Sequence, residues 1–136
     1  MDTYFHTVQY YETDRMGVTH HSNYIRWMEE ARIDLLDRLG WGYERFEEEG
    51  IFSPVTALSS RFLGSTTFHD RVEISVKILE FDGITMKVGY EMRKGEETVL
   101  TGESEHCFLD GDGKLLRLKK KHPELYELLK AQMEHP

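Results

Sequence analysis

Residues 24–40, YIRWMEEARIDLLDRLG, decide the fold. Tyr24, Met28, Ala31, Leu35 and Leu39 recur at helical spacing and make one apolar face. Ile25, Trp27, Ile33 and Leu36 widen that surface well beyond a narrow stripe, so the helix is expected to be covered on more than one side. Gly40 supplies its end. A helix covered this broadly belongs at the centre of a fold, and the remaining elements are read around it.

On its N-terminal side, residues 3–11 (TYFHTVQYY) are rich in aromatic and β-branched residues and read as a strand, followed by the polar loop TDRMGVTHHSN. On its C-terminal side, WGYERFEEEG is a short amphipathic turn closed by Gly50, and FSPVTALSSRFLG is a second strand with Pro54 near its start. Val72, Ile74, Val76 and Ile78 then alternate with Glu73, Ser75 and Lys77, the period of a strand with one buried face. Ile84, Met86, Val88, Tyr90 and Met92 repeat the pattern, with FDG as a tight connection between the two runs. TVLTGESEHCFLD is a fifth strand, DGDGK a turn, residues 115–118 a short apolar run, and HPELYELLKAQ a terminal helix with Pro123 in its first turn. Strand, long helix, four consecutive antiparallel strands and a final helix make an α+β pattern, and a single sheet wrapped around the helix accounts for both periodicities.

The chain has 136 residues, 39% of them hydrophobic and 31% charged, which suits one globular domain spanning 1–136. With three prolines and no low-complexity stretch, it offers no linker. Seventeen Lys and Arg against 25 Asp and Glu leave a net charge of -8, which argues against nucleic acid or an anionic membrane as main partner. Cys107 has no partner for an intrachain disulfide, and the N-terminus is polar and acidic where a signal peptide is basic and then apolar. A cytoplasmic protein is expected.

Titratable and polar groups are densest in the loop before the long helix, at Asp14, Thr19, His20, His21, Ser22 and Asn23. Gly17 suits a sharp turn there, and Ser22 or Asn23 suits a helix cap. The unpaired N–H groups of the helix start could polarise a carbonyl, with Asp14 as nucleophile or as base for water. The same residues also fit a plainer reading, in which Asp14 caps a turn and the histidines pack or face solvent.

The pattern Y-x-x-T-D-x-x-G-V-x-x-H-x-x-Y, followed by W-M-E-E-A-R, resembles the 4-hydroxybenzoyl-CoA thioesterase family, whose members have the hotdog fold. It is carried by Tyr11, Thr13, Asp14, Gly17, Val18, His21, Tyr24, Trp27, Glu30, Ala31 and Arg32, with looser similarity through FLGSTTFHDRVEISVKI and GESEHCFLDGDGK. The resemblance implies hydrolysis of an acyl-CoA without a metal or redox cofactor. It places the catalytic aspartate on Asp14 and a carbonyl-binding backbone N–H on His21, near Gly17, and matches the His21 side chain to a histidine of the bacterial acyl-CoA thioesterase branch. It also implies an acyl pocket lined by Tyr24, Trp27 and Met28 between the central helix and a neighbouring subunit. A homodimer or a dimer of dimers follows, because pairing two protomers covers a sheet edge. Two alternatives remain: a thioesterase for acyl carrier protein, and a non-catalytic hotdog module that binds acyl-CoA or a protein.

His20 is expected at the surface or behind the site, and Glu29 and Glu30 as partners of Arg26 three and four residues earlier. D-G-D-G at 110–113 starts like a calcium loop, but Lys121 stands where that loop needs a bidentate Glu, so it reads as a turn. For the CoA phosphates, the basic run Arg117, Lys119, Lys120 and Lys121 and the separate Arg61, Arg71 and Arg93 are equal candidates on sequence.

Overall fold

The central helix α1 runs from Ser22 to Arg38 in the computed structural model, which describes residues 3–134. It buries Tyr24, Trp27, Met28, Ala31, Arg32, Leu35 and Leu36. Ile25 on its flank stays 41% exposed, so in the protomer the cover is less complete than the apolar surface suggests. The helix starts two residues before Tyr24, and neither Ser22 nor Asn23 caps it. His20 takes that task, its Nδ1 accepting the Ser22 N–H at 3.2 Å. At the other end the chain turns back through Gly40 at φ +83°, where the Leu39 and Trp41 N–H groups return to the carbonyls of Leu35 and Leu36.

Around α1 the chain forms β1 (Thr3–Thr7), α2 (Tyr43–Glu48), β2 (Val55–Phe62), β3 (Arg71–Phe81), β4 (Thr85–Lys94), β5 (Glu97–Cys107), α3 (Leu118–Lys121) and α4 (Pro123–Glu134). The five strands make one antiparallel sheet in the order β1-β3-β4-β5-β2. Val72, Ile74, Val76 and Ile78 of β3 and Met86, Val88, Tyr90 and Met92 of β4 turn inward and are buried, as the alternation predicts. Each such side chain contributes roughly 1.5–3 kcal/mol on leaving water. This α+β arrangement, a sheet wrapped on a central helix, is the hotdog fold.

Several elements depart from the sequence reading. β1 ends at Thr7, and residues Tyr10–Glu12 form a 3-10 turn instead of more strand. Burial of Glu12 draws the chain out of the sheet, since its carboxylate accepts the Gln9 N–H at 2.8 Å. The strands β3, β4 and β5 form a meander, whereas β2 crosses to the far edge and pairs with β5. WGYERFEEEG contains a true helix, α2, and part of the basic run is helical as α3. D-G-D-G is a turn, with Asp110 Oδ1 accepting the N–H groups of Asp112 and Lys114. Among the described residues no helix is long and apolar enough to cross a membrane.

Candidate active site

The loop between β1 and α1 folds into a small hairpin. Thr13 pairs with Thr19 across it, the Asp14 N–H donates to the Val18 carbonyl at 2.8 Å, and Gly17 closes the turn onto the Asp14 carbonyl at 2.9 Å. Gly17 stands at φ +81°, a conformation other residues adopt only under strain. Asp14 therefore does cap a turn, its Oδ1 accepting the Met16 N–H at 2.8 Å. Among the described residues nothing bonds its Oδ2. The structural and the chemical reading of Asp14 are compatible, because each needs a different oxygen.

Two sets of bonds fix the hairpin. The Glu12 carbonyl accepts the His20 N–H and the Asn23 Nδ2–H, both at 2.9 Å, joining the hairpin base to the first turn of α1. On the other side, the segment after β2 reaches it: Thr66 lies 2.6 Å from Thr19 and 3.0 Å from the Tyr24 hydroxyl, and Thr67 Oγ1 donates to the Gly17 carbonyl. The crossover from β2 to β3 thus clamps the loop that carries Asp14.

An open cleft of about 710 Å³ lies along this hairpin, lined among others by Glu12, Asp14, His20, Asn23, Arg26 and Glu30. His20 lines it, whereas the His21 ring stacks on His20 and meets Phe62 edge-on at 6.3 Å. Among the described residues the His21 N–H at the start of α1 has no acceptor. Tyr24 is buried beside Phe62 with its hydroxyl on Thr66. Trp27 and Met28 are sealed within the protomer, the first against Glu12 and the second under Gly102, so neither opens onto the cleft. Arg61 faces away from α1, in a groove on the outer face of the sheet with Ser59, Lys77 and Glu103. The basic run lies at the opposite end of the sheet: Leu118 bonds Gly83 beyond β3, while His69 and Asp70 before β3 bond Val8. The eleven residues of β3 separate the two ends by about 35 Å.

Glu12 and His6 are the residues that pattern reading missed. Glu12 is 4% exposed, and its carboxylate accepts from Gln9 and Trp27 and meets His6 Nε2 at 2.8 Å. Burial acts to raise its pKa, but the bonds from His6, Gln9 and Trp27 prevail and hold it below the ordinary value. Glu30 receives Tyr4 and His6, an arrangement quite unlike the expected Arg26 pairing. Burial, with Glu30 and Asp34 nearby, pushes the Tyr4 phenol up to about 12. The sequence does hold a usable signal: Tyr4 and His6 are two polar-tipped residues at inward positions of an alternating strand.

Residues 8–132 match the family model of the thioesterase-like superfamily. The chain is 30% identical over 127 residues to an Aquifex aeolicus protein named "Putative esterase", covering 93% of this chain and 96% of that one. It is 28% identical over 108 residues to a 1,4-dihydroxy-2-naphthoyl-CoA hydrolase of Thermosynechococcus vestitus, covering 78% and 74%. Among solved structures, a DHNA-CoA thioesterase from Staphylococcus aureus superposes with a TM-score of 0.90 at 30% identity over 95% of this chain and 88% of that one. The chain belongs to the thioesterase-like superfamily. It is a thioester hydrolase of the hotdog class.

Proposed function

We propose that this protein hydrolyses an acyl-CoA to the free acid and CoA, with Asp14 as the reacting carboxylate and the His21 N–H on the thioester carbonyl. The observation that carries this is the free Asp14 Oδ2 on a hairpin whose base is bonded, through the Glu12 carbonyl, to the helix start that offers the His21 N–H. In one route Oδ2 attacks the carbonyl carbon, the C–S bond breaks, CoA leaves as thiolate, and water then opens the mixed anhydride. In the other, Asp14 takes a proton from water, whose oxygen attacks the carbonyl carbon and forms the new C–O bond as the C–S bond breaks and CoA leaves as thiolate. In both, the developing oxyanion gains from the N–H and the positive end of α1.

The acyl group is assigned to the apolar side of α1, where Leu58 and Phe62 of β2 point toward the helix yet remain 41% and 50% exposed, with Tyr24 of α1 5.8 Å from the Phe62 ring. β2 is an edge strand exposed along nearly all its length. A second copy paired along it would cover this surface and complete the pocket with Tyr24, so we assign a homodimer or a dimer of dimers. Of the basic candidates for the CoA phosphates, Arg71 and Arg93 sit at the Asp14 end of the sheet, and Arg61 lies in the groove on its outer face. The free Cys107 fits a cytoplasmic location.

The test is CoA release, followed with a thiol reagent, across short, long and aromatic acyl-CoAs, including 4-hydroxybenzoyl-CoA and 1,4-dihydroxy-2-naphthoyl-CoA. Wild-type release that Asp14→Asn reduces by about a hundredfold or more supports the reading. No release from any of them by folded protein overturns it in favour of a carrier-protein substrate or a binding module.

A further inference from the structure

Tyr4 and His6 point from β1 toward α1. The Tyr4 hydroxyl donates to Glu30 Oε1 at 2.8 Å, and His6 Nδ1 lies 3.1 Å from the same oxygen. The other ring nitrogen, Nε2, lies 2.8 Å from Glu12 Oε1. The imidazole is therefore held between two carboxylates, one from the 3-10 turn and one from α1, with its ring 4.5 Å from that of Trp27. Glu12 is the pivot. Its side chain is fixed by His6, Gln9 and Trp27, and its main-chain carbonyl receives both His20 and Asn23. Any shift of Glu12 moves the root of the Asp14 hairpin and the first turn of α1 together.

Resting on the hydrolase reading above, we propose that His6 is a positioning residue for the reaction, holding Glu12 toward Glu30 so that Asp14 and the His21 N–H keep one fixed relation. His6 does not line the Asp14 cleft and acts through the two carboxylates that do, Glu12 and Glu30. Its two ring nitrogens lie on different sides of the ring, so one imidazole spans both carboxylates at once. The groups facing His6 are Glu12 from the turn and Glu30 and Trp27 from α1; on its own strand Tyr4 shares Glu30, and Asp34 of α1 acts on Tyr4.

His6→Gln can reach only one of the two carboxylates. We expect a folded variant with kcat lower by about ten- to a hundredfold, the scale of a misplaced reacting group, and KM within about threefold. A His6→Gln kcat within about twofold of wild type, or a loss carried by KM instead of kcat, overturns the proposal. Should His6→Gln fail to fold, His6→Asn, which keeps at most one of the two contacts, decides in its place by the same two criteria. Absence of hydrolysis by the wild type overturns the hydrolase reading and this inference with it. Activity lost in Asp14→Asn but kept in His6→Gln overturns this inference alone.

Discussion

Arg32 Nη1 donates to the Tyr90 hydroxyl at 2.9 Å inside the core, and the chain of bonds continues from Tyr90 to Ser104 and from Ser104 to His106 Nε2, each at 2.7 Å. Burial acts to lower the Arg32 pKa, but the Tyr90 and Tyr43 phenols outweigh it and raise it. His106 is driven the other way, down to about 4, by burial first and by the Arg32 charge second.

That shift predicts acid sensitivity. The unfolded chain binds a proton at His106 near its ordinary value of 6.5, while the folded protein resists until about 4. The contribution to stability is thus fully present above pH 6.5 and is lost as pH falls through the window from 6.5 to 4. It amounts to on the order of 3 kcal/mol. Urea titrations at pH 7.5 and 4.5 should show the loss, and His106→Gln should flatten it. An unchanged pH dependence in that variant would remove His106 as the cause.

Asp14→Asn is expected to leave stability within about 1 kcal/mol, because the amide oxygen can still accept the Met16 N–H and only the charge is removed. Thermal unfolding alongside the CoA-release assay separates the two roles. A large fall in Tm together with lost activity would mean that the carboxylate acts through the hairpin alone.

Gly102→Ala should destabilise by about 1–3 kcal/mol through overpacking. A Cβ there would stand 2.6 Å from Met28 Cε and 2.9 Å from the Ser59 carbonyl oxygen. Met28→Ala should relieve only the first of these clashes, so the double variant is not expected to recover wild-type stability. Full recovery in denaturant titrations would show that β2 gives way more easily than its pairing with β5 suggests.

Leu58→Lys places a charge on the apolar, α1-facing side of the edge strand. Under the proposed pairing of two copies along β2, light scattering after size exclusion should report a dimer or tetramer for the wild type and a monomer for this variant. Hydrolysis should fall with it, because in the proposed dimer the second copy completes the acyl pocket. A variant that stays oligomeric would place the interface elsewhere.

The elements that carry a strong period are legible in the amino-acid sequence: α1, β3 and β4 lie where 3.6- and 2-residue spacing put them. The loop before α1 is legible as a loop, because Gly17 and the polar residues around it break both periods. β1 is four residues shorter than its composition suggests, since the aromatic residues that favour a strand at 8–11 serve equally in a turn once Glu12 has to reach Trp27. His6, Glu12 and Glu30 are invisible as a unit in the sequence, because they come from three separate places in the chain and carry no shared spacing.

Local periodicity and turn chemistry determined the identity of the elements, the inward faces of the strands and the position of Asp14 just ahead of a helix. Those depend on interactions between residues a few positions apart. Only the tertiary structure decided that β2 lies at the sheet edge beside β5, that Trp27 and Met28 are sealed while His20 shares the cleft with Asp14, and that the basic run stands a sheet's length away. Each of these follows from closing the sheet around α1, which brings together residues that chain distance keeps apart, and whose pairing no local preference encodes.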